Sequence, residues 1–174
     1  MALTGIQIGL RVWEFVFSVL VMALIGNIIA MAFAGNPATI NYSMFTATFS
    51  IVSLFYLVPA SINMNWAIHP IIMITLDVLN NIFFLTAGIA LAAKLECHSC
   101  SNDNYTLHNE ITNGANNRQK RCREAQASVA FLWFAWAGYM ASTIISIISA
   151  RSATAGVRGR TGRAPRGRPS MAQV

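Results

Sequence analysis

The sequence predicts an all-α integral membrane protein: a four-transmembrane-helix bundle with one larger exoplasmic loop and a disordered basic C-terminal tail. Two observations predict this class. The 174 residues are 55% hydrophobic and only 10% charged, whereas soluble proteins average about 25% charged residues. The chain also contains four apolar runs, each long enough to cross a hydrocarbon core of roughly 30 Å, which takes about 20 helical residues.

The apolar runs and the polar segments between them define the domain organisation. We expect a membrane domain over residues 1–150 and a tail over residues 151–174, whose Gly, Pro and Arg composition does not build a core. Gly35-Asn36-Pro37 separates the first two runs, because these residues favour turns and Pro lacks an N–H donor. The predicted helices cover residues 12–34, 42–62, 70–93 and 125–150, and the loop covers residues 94–124.

The third run is almost entirely apolar but carries one acid, Asp77, with Asn80 one helical turn later. A carboxylate within a membrane span is costly and turns toward the bundle interior rather than toward lipid. We therefore predict that Asp77 and Asn80 form a buried polar pair that bonds hydroxyl groups of a neighbouring helix and specifies helix register. Two alternatives give the pair a role in an ion or proton path, or in sensing lipid headgroups or cargo.

The first run begins beside Arg11 and contains Glu14 as its only charge. Residues three apart share a helix face, so we predict an interfacial ion pair between Arg11 and Glu14, with a proton or ion site as the alternative. Gly26, Ala30 and Ala34 repeat every four residues, and such a stripe of small side chains allows a second helix to approach closely.

Four spans place both termini on one side of the membrane. Six of the ten arginines follow residue 150, and positive residues favour the cytoplasmic side, so we predict a plasma-membrane protein with both termini cytoplasmic. The glycosylation sequon Asn104-Tyr105-Thr106 falls in the loop that this orientation places outside. Asn104 is therefore a glycosylation candidate.

The loop holds all three cysteines: Cys97, Cys100 and Cys122. In an oxidising compartment a structural disulfide is the simplest interpretation, and a Cys100–Cys122 bond would staple the ends of the loop. Two alternatives stay open, namely thiol exchange at Cys97 and Cys100, and a zinc site completed by Cys122 and His108. The zinc spacing fits no standard pattern. We therefore expect no metal, no cofactor and no enzyme activity.

The tail is predicted to contact anionic lipid of the inner leaflet, since basic residues next to a span contribute about 1 kcal/mol each near such a surface. Arg-Gly segments also bind RNA, but a membrane partner is the better fit here, and we expect no nucleic acid. Thr161 and Ser170 follow arginines at short spacing and are phosphorylation candidates. The lipid-contact candidates are Arg151, Arg158, Arg160, Arg163, Arg166 and Arg168.

Several stretches resemble the fungal non-classical export protein 2 family of MARVEL-domain tetraspan proteins. They are Thr75-Leu76-Asp77-Val78-Leu79-Asn80, Thr86-Ala87-Gly88, His98-Ser99-Cys100 and Arg121-Cys122-Arg123-Glu124-Ala125-Gln126-Ala127-Ser128-Val129-Ala130-Phe131-Leu132. The resemblance implies a MARVEL-type bundle, and it equates Asp77 and Asn80 with the family's LDxLN element and Cys100 and Cys122 with its loop cysteines. Cys97 is an addition to this pattern.

The resemblance also implies a function: a non-enzymatic organiser of lateral plasma-membrane microdomains, associated with eisosomes, responsive to sphingolipid and linked to unconventional protein export. The expected partners are sphingolipid, sterol, anionic inner-leaflet lipid, other plasma-membrane or eisosome proteins, and a second copy of the chain in a homo-oligomer. One alternative is a small oligomeric transporter or channel that uses Asp77. A weaker alternative is a membrane thiol oxidoreductase.

Overall fold

The computed structural model describes residues 2–33, 35–62, 70–96 and 98–161, which are helical apart from short connections. Four helices are long and apolar enough to cross a membrane, which confirms the predicted all-α class with four spans. The helices are α1 (Ala2–Ala30), α2 (Ala38–Ile62), α3 (Pro70–Leu95), α4 (Asp103–His108) and α5 (Arg118–Thr161).

The four long helices form an antiparallel bundle in the cyclic order α1, α2, α3, α5, each packing on its two neighbours. Buried residues recur at alternating intervals of four and three, which is the spacing of left-handed helix packing. On α1 they are Gln7, Arg11, Glu14, Ser18, Val21, Ile25 and Ile28. On α5 they are Arg121, Ala125, Ser128, Leu132, Ala135, Tyr139 and Ser142.

The buried residues change character halfway along the bundle. The half nearer the chain termini, here the terminal half, is polar: on α1 its buried positions run from Gln7 to Ser18. The half nearer the α3–α5 connection, here the loop half, is mainly apolar, with Ile25, Phe84 and Leu132 fully buried. Its buried hydroxyls are Ser43, Thr46 and Ser128, and each donates to a backbone carbonyl of its own helix. Polar contacts between helices therefore concentrate in the terminal half.

The connection between α3 and α5 is fastened to the bundle at three points. A disulfide joins Cys100 to Cys122. Lys94 and Glu110 form an exposed ion pair at 2.6 Å. Arg121 is fully buried, and it donates from Nε to the Ile111 carbonyl at 2.7 Å and from Nη2 to Asn36 Oδ1 at 3.2 Å. Arg121 thus ties this connection to the turn between α1 and α2.

Several predicted helix boundaries differ from the structure. Helix α1 begins at Ala2 rather than near residue 12, because residues 2–10 are uncharged and continue the helix. Helix α5 begins at Arg118 and continues to Thr161, so residues 151–161, predicted as part of a disordered tail, are helical. At 1.5 Å per residue, the 44 residues of α5 are about 66 Å long, roughly twice the thickness of a bilayer core. Residues 162–174 lie outside the described ranges.

The glycines of α1 and α5 differ in their surroundings. A Cβ at Gly138 on α5 would lie 2.8 Å from Trp13 Cδ1 and 3.3 Å from Glu14 Cγ, whereas a Cβ at Gly26 on α1 would have no heavy atom within 4 Å. Trp13 has little room to move because its Nε1 donates to the Phe134 carbonyl at 3.0 Å. Gly138 therefore allows α1 and α5 to approach closely, whereas the Gly26 stripe meets no other helix of the chain at that position.

We expect Gly138→Ala to lower the free energy of unfolding by about 1–3 kcal/mol, because overpacking forces side chains and backbone apart. Thermal unfolding of the purified chain in nanodiscs measures the loss. Gly26→Ala is the matched control: it adds the same methyl group to open space and should leave stability unchanged or slightly raised. Helix propensity favours Ala over Gly in both variants, so equal losses would contradict the assignment of the Gly138 effect to the close approach of α1 and α5.

Candidate functional site

The centre of the terminal half is Arg11, whose side chain is 1% exposed. Its guanidinium donates two hydrogen bonds to Asp77, from Nη1 to Oδ1 at 2.6 Å and from Nη2 to Oδ2 at 2.8 Å. Because α1 and α3 are not adjacent in the cyclic order, this pair crosses the bundle diagonally. A bidentate arginine–carboxylate pair fixes both the distance and the orientation of the two groups. It therefore sets the register of α1 against α3.

Glu14 joins the same cluster. Arg11 Nη1 donates to Glu14 Oε2 at 2.9 Å, and Ser142 on α5 donates to Glu14 Oε1. Asp77 receives a further bond from Ser146 Oγ at 3.2 Å. Both carboxylates are fully buried. Arg11, Glu14 and Asp77 are here called the ion cluster. Each of its two acids accepts a hydrogen bond from a serine hydroxyl of α5.

Hydroxyl and amide groups extend the polar region along the bundle axis. Asn80 Nδ2 donates to Ser53 Oγ on α2 at 2.8 Å. Ser50 Oγ lies 2.7 Å from Tyr139 Oη and 2.6 Å from Ser18 Oγ. These contacts link all four long helices through side-chain hydrogen bonds. In a bundle surrounded by lipid, interhelical hydrogen bonds hold helices together where the hydrophobic effect contributes little.

The structure places Asp77 and Asn80 in the interior, each bonded to a hydroxyl of a neighbouring helix, and adds Arg11 as the main partner of Asp77. It corrects the placement of the Arg11–Glu14 pair. The two residues bond each other, but the pair is buried rather than interfacial. The reason is the early start of α1, which puts Arg11 about 14 Å from the first residue of the helix at 1.5 Å per residue.

Sequence reasoning missed the bond between Arg11 and Asp77 and the donor role of two α5 serines. Ser142 and Ser146 both donate to the ion cluster. The sequence signal for the burial of Arg11 was an alternating spacing of four and three along α1. This spacing connects Gln7, Arg11, Glu14 and Ser18 with Val21 and Ile25. It places Arg11 on the face that carries the apolar core.

The structure bears on the disulfide, thiol-exchange and zinc interpretations of the three cysteines. The structure contains the Cys100–Cys122 disulfide, which occupies a cysteine of the proposed thiol-exchange pair and two cysteines of the zinc alternative. Cys97 lies outside the described residues. Within the described ranges, no group of three or more His, Cys, Asp or Glu side chains is placed to hold a metal ion.

The remaining site candidates lie on the surface or beyond the described part. Asn104 is exposed on α4, and Arg151 is exposed on α5. Arg158, Arg160 and Thr161 lie on the helical continuation of α5. Arg163, Arg166, Arg168 and Ser170 lie outside the described residues.

The outer surface of the bundle is apolar. Large hydrophobic side chains are exposed on all four long helices, among them Trp13, Phe55, Ile82 and Phe134. Between α1 and α2 this surface contains a groove of about 250 Å³, lined by Ile8, Arg11, Val12, Phe15 and Val58. An exterior of this kind suits a hydrocarbon surrounding.

Comparison with known proteins agrees with this architecture. The model of the MARVEL family, described as a membrane-associating domain, matches residues 2–145. The chain is 36% identical over 123 residues to non-classical export protein 2 of Saccharomyces cerevisiae, covering 69% of this chain and 67% of the relative. It is 40% identical over 121 residues to non-classical export protein 102 of Candida albicans, covering 69% of each chain.

A homologue of non-classical export protein 2 in Schizosaccharomyces pombe is 30% identical over 132 residues, or 70% of each chain. No solved structure matches significantly. The family match covers most of the chain, including all four membrane-length helices up to residue 145. The chain therefore belongs to the MARVEL family of tetraspan membrane proteins.

Proposed function

We propose that the protein organises lateral microdomains of the fungal plasma membrane without catalysing a reaction, and that both of its termini are cytoplasmic. The microdomains are eisosome-associated and responsive to sphingolipid. The observation that carries this proposal is the division of polar and apolar groups. The polar side chains of the terminal half bond one another inside the bundle, and the exterior offers lipid an apolar, grooved surface.

Such a surface sorts lipids by shape. The groove between α1 and α2 opens between exposed Val12 and Phe15, so it presents a concave apolar strip to the bilayer. Sphingolipid and sterol are the proposed occupants, because straight chains and rigid rings fill such a strip with little loss of conformational freedom. The arginines of the tail are proposed to hold anionic inner-leaflet lipid below the bundle.

Two protein partnerships complete the proposal. The open surface at Gly26 is the proposed site of close contact with a second copy of the chain or with another plasma-membrane or eisosome protein. The names of the relatives refer to non-classical export, and the chain is proposed to support that process through membrane organisation.

The interior of a single bundle favours the transporter alternative less than the organiser function. A path for ions would have to pass the loop half, where Val21, Ile25, Phe84, Leu91 and Leu132 fill the described interior. The buried hydroxyls there bond their own helices.

Val58→Phe should test the proposal by filling the groove from α2. We expect a fluorescent fusion of the full chain to form plasma-membrane patches in fungal cells, and we expect Val58→Phe to reduce the patch-associated fraction severalfold because the acyl-chain strip is lost. The measurement is quantitative microscopy at matched expression.

The matched control is Val52→Phe, the same substitution on the same helix at a position that is 62% exposed and outside the groove. It should leave the patches unchanged. A uniform distribution of the wild-type fusion, or equal effects of the two substitutions, would contradict the proposal.

A further inference from the structure

We propose that the ion cluster is a proton-binding site in which Glu14 carries the bound proton and Asp77 is the ionised partner of Arg11. The starting point is a charge count. Two carboxyl groups face one guanidinium, and all three side chains are at most 1% exposed. With both acids ionised, the cluster would hold one uncompensated negative charge in a medium of low dielectric constant, which is strongly unfavourable.

Among the described residues, the other groups that face Glu14 supply no second cation. In that part of the chain, the charged neighbour from α1 is Arg11 and the charged neighbour from α3 is Asp77. From α5 the neighbours are Ser142 and, one turn earlier, Tyr139, which is neutral at physiological pH. From α2 the terminal half receives hydroxyls, including Ser50 and Ser61. A proton is the smallest cation that restores balance, and it requires no cavity.

Two buried amide oxygens that lack a hydrogen-bond donor also support a bound proton. Gln7 is 8% exposed, and its Nε2 donates to Ser146 Oγ, which in turn bonds Asp77. Its Oε1 is buried and accepts no hydrogen bond, and the same is true of Asn80 Oδ1, one turn from Asp77. Donors are therefore already short around the ion cluster, and the described residues offer no spare donor to stabilise a second buried carboxylate.

The hydrogen bonds identify which acid holds the proton. Asp77 receives three bonds, two of them from the guanidinium and one from Ser146. Bonds to a carboxylate favour its charged form. Glu14 receives one bond from Arg11 and meets one hydroxyl, Ser142. A hydroxyl can accept as well as donate, so a protonated Glu14 can donate to Ser142 Oγ from Oε1, the oxygen that Arg11 does not contact. Both oxygens of Asp77 already accept from Arg11.

Infrared spectroscopy of the full chain in nanodiscs at neutral pH tests the assignment. We expect a deuterium-sensitive carbonyl band of a protonated carboxylic acid in the wild type, complete loss of that band in Glu14→Gln, and retention in Glu124→Gln. Glu124 is a suitable control because it is a second largely buried acid, 13% exposed and bonded by Asn27. Absence of the band from the wild type, or its survival in Glu14→Gln, would overturn the proposal.

Thermal unfolding gives an independent readout. If the folded chain holds a proton that the unfolded chain releases, the wild-type melting temperature falls as the pH rises above about 4.3, the ordinary pKa of a glutamate, until the folded chain also loses the proton. Glu14→Gln is neutral in both the folded and the unfolded chain, so its melting temperature should equal or exceed that of the wild type at neutral pH and show less dependence on pH. A wild-type melting temperature that follows sodium or potassium concentration at constant ionic strength would instead identify a metal cation and refute a proton.

Discussion

Asp77→Ala should lower the free energy of unfolding by about 3–5 kcal/mol, the usual loss when one partner of a buried ion pair is removed. The substitution takes away three hydrogen bonds and leaves Arg11 buried with Glu14 as its one acidic partner. Because Arg11 and Asp77 join helices that are not adjacent, the loss should affect the whole bundle. Denaturant or thermal unfolding in nanodiscs measures it.

The control for this prediction removes both partners. Arg11→Met combined with Asp77→Leu replaces the pair by apolar side chains of similar size, which is often nearly neutral. The double variant should therefore be more stable than Asp77→Ala. Asp103→Ala, at an exposed acid on α4, should have little effect. Strict additivity of the Arg11 and Asp77 losses would show that the two side chains act independently.

Cys100→Ser should lower the free energy of unfolding by about 2–4 kcal/mol, because the disulfide closes a segment of 22 residues and restricts the unfolded chain. The connection between α3 and α5 should also become more accessible to protease, since Arg121, one residue before Cys122, helps to anchor it. Limited proteolysis with and without a reductant measures the second effect.

Cys97→Ser is the matched control for the disulfide. It removes a cysteine from the same loop and should leave both stability and proteolysis unchanged. If Cys97→Ser and Cys100→Ser had equal effects, the stabilising bond would involve Cys97, and the Cys100–Cys122 pairing would be wrong for the protein in its membrane.

The sequence predicts the spans well because their signal is local. A run of about 20 apolar residues is sufficient to indicate a membrane helix, and Gly35, with a φ of 85°, marks the turn between α1 and α2. The inward position of Asp77 also follows from one residue and its surroundings, since lipid does not accommodate a carboxylate.

The partner of Asp77 could not be predicted in the same way, because it depends on how two helices distant in sequence are aligned. Arg11 lies at the edge of its apolar run, and such positions usually reach the interface. Its burial depends on an N-terminal extension of α1 that carries no charge to mark it. The helical continuation of α5 to Thr161 was missed for a related reason, since Gly and Arg composition indicates disorder.

The ion cluster and the apolar outer surface are related, because burying the ionic groups leaves apolar side chains on the exterior. Buried ionic groups in membrane proteins face the interior and pair with one another, and here they leave the exterior to Phe, Ile, Val and Trp side chains. The cluster fixes the shape of the bundle, and that shape is what the surrounding lipid meets. A proton on Glu14 would make the shape depend on the protonation state of one residue.

The most direct measurement is the distribution of the purified full chain in giant vesicles that separate into a sphingolipid- and sterol-rich phase and a phase of unsaturated lipid. The account predicts enrichment of the chain in the sphingolipid- and sterol-rich phase or at its boundary. An even distribution between the two phases, or enrichment in the unsaturated phase, would contradict it.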